Sequence, residues 1–150
     1  MGRQTFFQQM RSVVLNPVDG FTNDVESNHD KLALLNLVTS AAASSNSADQ
    51  VNINGRGIQV GVNITALGGT TPTATVTIQG KDAASGVYYT LLQSAALSAA
   101  GFTLLTVYPG VAAAANVAAS QVLPATWRVL VALGGTAPTV SATVGASLIN

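Results

Sequence analysis

Few side chains in this sequence are equipped for chemistry. His29, the only histidine, stands in Asp24-Val-Glu26-Ser-Asn-His29-Asp30, the one place where a general base or a metal-ligand cluster can be drawn. A single histidine cannot supply a two-histidine metal set, and carboxylates on a polar segment are ordinarily just solvated. The expectation is that Asp24, Glu26, His29 and Asp30 are neither catalytic nor metal-binding. A Ser-His-Asp hydrolase would have to recruit His29, and the chain contains no Gly-x-Ser-x-Gly nucleophile turn. Gly55-Arg-Gly57-Ile-Gln-Val-Gly61 has the glycines of a phosphate loop, but it leads into an alternating run and lacks the P-loop lysine, so it reads as a turn before a strand. Lys81-Asp82 reads as a pair at a hairpin tip. Arg128 is expected to cover the neighbouring Trp127 ring with its stem, with contact to a partner as the other reading. Asn63-Ile-Thr65 matches a glycosylation acceptor but falls inside a strand-like run and is discounted.

The chain that must position these groups is 150 residues long, the size of one domain. Charged residues are 8% of it, where a soluble domain averages about 25%, so its surface must be made of something else. From Gly57 onward only Lys81, Asp82 and Arg128 are charged, leaving Thr, Ser, Asn, Gln, Gly and Ala to meet solvent. Zero net charge with little local charge favours packing against partners, since nothing keeps copies apart. The basic residues Arg3, Arg11, Lys31, Arg56, Lys81 and Arg128 are dispersed and form no stripe for phosphates, which argues against nucleic acid. Without cysteine there is no disulfide framework, thiolate metal site or cysteine nucleophile. No uninterrupted apolar run reaches the length of a membrane span, and residues 111–119 are mostly alanine broken by Asn116. Gln8, Gln9 and Arg11 interrupt any signal-peptide core, and Phe6 occupies the place a myristoylation signal reserves for Ser or Thr, so neither export nor lipidation is expected.

Residues 1–31 differ in composition from the rest, holding more than half of the charged residues and the histidine; they read as an N-terminal arm, followed by a domain over 32–150. In the arm Phe6, Met10, Val13 and Val14 recur at helical spacing, and Asn16-Pro17 would end a helix there, so the arm is extended or partly helical. This apolar stripe fits packing on its own domain as well as docking on a neighbour.

Beyond the arm the dominant period is two. Residues 32–39 read as a strand and 40–50 as an Ala/Ser/Asn loop. Ile58, Val60, Val62 and Ile64 alternate with Gln59, Gly61, Asn63 and Thr65, placing four β-branched side chains on one face. Ala74, Val76 and Ile78 alternate with threonines, and residues 80–86 supply a hairpin loop before the run 87–92. Residues 102–108 form another strand closed by Pro109-Gly110, after which 111–121 is loop or a helical turn. The run 127–133, apolar on both faces except for Arg128, suits a central strand, and Val140, Ala142, Val144, Ala146 and Leu148 alternate again. Ala66-Leu-Gly-Gly-Thr-Thr-Pro-Thr73 returns as Ala132-Leu-Gly-Gly-Thr-Ala-Pro-Thr139, which reads as one hairpin used twice, with both tips exposed. About eight strands with one apolar face each predict an all-β, two-layer antiparallel sandwich, Ig-like or jelly-roll-like. Val60, Val62, Val76, Ile78, Trp127, Val129 and Val144 are expected in its core.

Gly55-Arg-Gly57-Ile, Val76-Thr-Ile-Gln-Gly-Lys-Asp82, Ser85-Gly-Val-Tyr-Tyr-Thr-Leu-Leu92, Val107-Tyr-Pro-Gly110 and Leu123-Pro-Ala-Thr-Trp-Arg128 resemble a family of small structural proteins of tailed phages, over roughly residues 51–149. The resemblance implies a β-sandwich head decoration (cement) protein or tail component, often trimeric, without cofactor or catalysis. It makes the chain a virion protein of the capsid surface, made in the host cytoplasm. Its implied partners are further copies of itself, as a homotrimer, and the major capsid protein; nucleic acid, membrane and small-molecule substrates are not implied. Phe6, Phe7 and Arg11 of the arm and Arg128 of the domain are the candidate partner-binding residues. The alternative is a tail or fibre component binding a receptor through the 66–73 and 132–139 tips, although neither tip carries an aromatic residue. An enzyme would need a convergent polar pocket, which the sequence lacks the residues to build.

Overall fold

The computed structural model describes residues 31–150. The expectations for Phe6, Phe7, Arg11, Asp24, Glu26, His29 and Asp30 lie outside the described residues. Within them the chain forms strands β1 (Lys31–Ser40), β2 (Ser44–Asn46), β3 (Gln50–Val51), β4 (Gly57–Lys81), β5 (Tyr88–Gln93), β6 (Gly101–Val107), β7 (Ala118–Ala119) and β8 (Thr126–Ile149), with no helix among the described residues. The all-β expectation holds. Hydrogen bonding joins the eight strands into a single sheet in the order β1-β8-β4-β6-β7, with β2 and β3 also on β8 and β5 also on β4. Every pairing is antiparallel except β6 with β7.

The period-two runs become strands because alternation gives each one an apolar face. In β4 the side chains of Ile58, Val60, Val62, Ile64, Ala74, Val76 and Ile78 are buried while Gln59, Asn63 and Thr65 are exposed. β8 does the same with Trp127, Val129 and Val131 and again with Val140, Ala142, Val144, Ala146 and Leu148. These residues belong to one core cluster, which includes all seven core residues expected from the sequence. Each fully buried Val, Leu or Ile contributes about 1.5–3 kcal/mol relative to leaving it exposed. Two buried serines keep the strand edges satisfied: the Ser47 hydroxyl accepts from the Val129 N–H at 3.0 Å, and the Ser94 hydroxyl accepts from the Val76 N–H at 3.0 Å. Among the described residues Trp127 Nε1 is the one buried side-chain polar atom with no hydrogen-bond partner.

The repeated Ala-Leu-Gly-Gly segments correct the hairpin expectation. Neither closes a hairpin; β4 and β8 each continue through them without a break and pair with each other there. Gly68 lies opposite Thr139 and Thr73 opposite Gly134, with Thr70 opposite Thr136, so the two repeats face one another reciprocally about a local two-fold. The backbone repeats as well: φ is +112° at Gly69 and +104° at Gly135, and +48° at both Thr71 and Ala137. A Cβ on Gly69 would lie 2.6 Å from the Ala137 carbonyl, and one on Gly135 would lie 2.6 Å from the Thr71 carbonyl. Glycine is required by conformation and by close approach at both sites. Residues 69–71 and 135–137 are exposed, as expected for the tips. Two smaller corrections concern the loops. Residues 40–50 contain β2 and the start of β3, added along β8, and residues 111–121 contain β7, which pairs with β6.

Candidate functional site

Of the five charged residues in 32–150, three meet on one surface. Gln79 of β4 lies opposite Arg128 of β8, and Lys81 of β4 lies opposite Tyr88 of β5. Strand alternation turns their side chains away from the core, where Ile78 and Trp127 point. Asp49, in the β2–β3 connection at the far edge of β8, completes the group. Its carboxylate accepts from Lys81 Nζ at 2.7 Å and from the Tyr88 hydroxyl at 2.8 and 3.0 Å. Arg128 Nε donates to Gln79 Oε1 at 2.9 Å, and its guanidinium carbon lies 3.4 Å from the Tyr88 ring centroid. Lys81 Nζ approaches the same ring at 5.2 Å.

The electrostatics follow from these contacts. The hydrogen bond from Lys81, then that from Tyr88, holds the Asp49 carboxyl below its ordinary value, while the bond to Asp49 holds the Lys81 ammonium above its own. A carboxylate stabilised in its charged form is a weakened base, and its oxygens are already engaged. The arrangement can tie the β2–β3 connection to the β4–β5 hairpin, and it gathers Tyr88 and Arg128 on one surface.

Two sequence expectations are corrected here. Lys81 and Asp82 do not pair: Lys81 reaches Asp49, while Asp82 accepts from the Ser85 N–H at 2.7 Å and the Ser85 hydroxyl at 2.6 Å, which holds its carboxyl below the ordinary value. Arg128 does not cover Trp127, because neighbours in a strand point to opposite faces; Trp127 is fully buried and Arg128 lies over Tyr88. Gly55-Arg-Gly57 is a turn before β4, as expected, closed by the Asn52 side chain, which accepts from the Gly55 N–H and donates to the Gly55 carbonyl, both at 2.8 Å. Among the described residues no group of three or more His, Cys, Asp or Glu comes together. Asp49, Gln79 and Tyr88 are the members of the site that sequence reasoning missed. The available signal was that Asp49 is the lone charge between Lys31 and Arg56.

A second surface lies on the outer face of the other half of the sheet. Gly61 and Gly145 are paired neighbours there, on the floor of a groove of about 690 Å³, with the Phe102 ring close over Gly61. Phe102 and Leu104 of β6 form one wall, 68% and 43% exposed, and Leu32 and Ala33 of β1 form the other. Gln59, Asn63, Thr143 and Ser147 add amides and hydroxyls, and no charged side chain is among its described lining residues. The chain matches no family model, and comparison with curated proteins and with solved structures gives no match.

Proposed function

We propose that this chain is a non-enzymatic structural subunit of a tailed-phage particle, a decoration (cement) protein that binds the major capsid protein lattice and stabilises the head. The observation that carries the reading is the nearly charge-free all-β body with an apolar, uncharged groove open on one face. Such a surface suits side-by-side packing, because desolvating it costs no buried charge and copies do not repel. The family resemblance of the turn and strand strings supports a virion subunit of the capsid surface, made in the host cytoplasm and assembled as a homotrimer. Phe6, Phe7 and Arg11 of the arm and the Arg128 surface are the proposed partner contacts, with no part for nucleic acid, membrane or small-molecule substrate.

The architecture we propose is a two-layer sandwich in the Ig-like or jelly-roll manner, with the single hydrogen-bonded sheet folded over at the paired Gly-Gly repeats. The support is physical. Ile58 and Val60 in one half of β4 and Val76 and Ile78 in the other are wholly buried on one face. Strands alone cover that face among the described residues, and a sheet folded over at its positive-φ repeats brings the two halves together. Electron cryomicroscopy of particles carrying a tagged copy tests the function. Density on the capsid lattice supports it, density on the tail moves the chain to the tail or fibre reading, and particles lacking the protein overturn both.

A further inference from the structure

We propose that residues 4–10 of the arm, Gln-Thr-Phe-Phe-Gln-Gln-Met, seat in the groove over Gly61 and Gly145 of a neighbouring copy; this rests on the assembly reading above. Three observations lead to that occupant. The first is chemical fit. The groove offers an exposed aromatic face at Phe102, whose ring lies close over Gly61, and the amides and hydroxyls of Gln59, Asn63, Thr143 and Ser147, with no charge among its described lining. Residues 4–10 are the arm segment that combines two aromatics and a methionine with amides and carries no charge. Residues 19–30, with Asp19, Asp24, Glu26 and Asp30, would bring carboxylates to an apolar wall whose described lining holds no cation.

The second observation is where the arm joins the body. It enters β1 at Lys31, directly before the groove residues Leu32 and Ala33, so the chain that leads to residues 4–10 starts at the rim of a groove. The third is direction. Lys31 pairs with Ser147, near the end of β8, and the following residues of β1 run inward along the groove. Chain continuing outward in line with β1 would leave past the end of the sheet, away from the groove centre at Gly61 and Gly145, and would have to turn back within residues 11–30 to reach its own groove. The twenty residues between Met10 and Lys31 span up to about 70 Å when extended, enough to cross to an adjacent domain. Packing Phe6 and Phe7 against Phe102 and Leu104 adds aromatic contact of the kind that anchors interfaces.

Because the chain has no cysteine, the contact can be read by disulfide trapping in the full-length protein. Phe7→Cys is placed on chains with one tag and Asn63→Cys, at the exposed groove edge, on chains with a tag of different size; Ala83→Cys in the β4–β5 turn replaces Asn63→Cys as the control. Oligomeric state is measured on the same samples by native mass spectrometry. The expected result is an oligomer in which the Phe7→Cys/Asn63→Cys disulfide between differently tagged chains forms about tenfold more than the control, as a high effective concentration requires. An oligomer with no excess over the control overturns the groove assignment while leaving assembly standing. A disulfide confined to single chains of the Phe7→Cys/Asn63→Cys double variant overturns it in favour of the chain's own arm. A monomer at all concentrations overturns both the assignment and the assembly reading.

Discussion

The Arg128 guanidinium carbon lies 3.4 Å from the Tyr88 ring centroid, and the hydroxyl of that same ring ends on Asp49. One aromatic side chain thus connects a central strand, a hairpin and the β2–β3 connection. Exposed cation–π pairs contribute about 0.5–1 kcal/mol. Tyr88→Phe should keep the stack and lose only the bond to Asp49. Tyr88→Leu should lose both and unfold at lower urea. A double-mutant cycle of Tyr88→Leu with Arg128→Gln should give a coupling of about 0.5–1 kcal/mol, and a coupling near zero would show that the stack adds nothing.

The same cluster gives stability a pH dependence. Asp49 titrates below its ordinary 3.8 in the folded chain, so its contribution is present above that value and is lost as pH falls through the lower folded value. Asp82 behaves alike through Ser85. Lys81, raised above 10.5, contributes fully below that value and loses its contribution as pH rises through the higher folded one. The midpoint of thermal unfolding should therefore hold between these limits and fall at both ends. Asp49→Asn should flatten part of the acid limb, and an unchanged limb would remove Asp49 as its source.

Trp127 is the largest fully buried side chain among the described residues, and none of them hydrogen-bonds its indole N–H. Trp127→Ala should cost about 3–5 kcal/mol, since a large cavity opens in a packed core. Trp127→Phe should cost distinctly less, because no hydrogen bond is lost with the indole. Urea titration of the two variants separates them, and equal losses would contradict an unpaired N–H.

At the paired repeats, Gly69→Ala and Gly135→Ala should each destabilise by more than about 1 kcal/mol, since each would set a Cβ against a carbonyl of the other repeat at positive φ. Reciprocity predicts losses that agree within about 0.5 kcal/mol. Strongly unequal losses would show that the local two-fold is not energetic.

The core was legible in the sequence because burial follows period two, and Val60, Val76 and Val129 take the places that alternation assigns. The repeats were legible as a repeat but not as a pair. Gly-Gly-Thr with proline signals a turn locally, and nothing local distinguishes chain reversal from a bend inside a long strand that finds its partner 66 residues later. The Tyr88 cluster was out of reach for a related reason. Asp49 and Lys81 are 32 residues apart, and their meeting depends on a strand order that β2 and β3 create by adding to β8.

The long ladder between β4 and β8 also bears on how the chain reaches this fold. Its least distant pair is Gly80 with Trp127 and its most distant Gly57 with Ile149, so no bond of the central ladder is local in sequence. The β4–β5 hairpin can close early, but the ladder must wait for a long loop to close before any of its contacts stabilises the chain. High contact order of this kind places folding in the millisecond-to-second range. During that interval apolar, nearly uncharged strands lie open, and newly made copies have little charge with which to avoid each other before their sheets are complete.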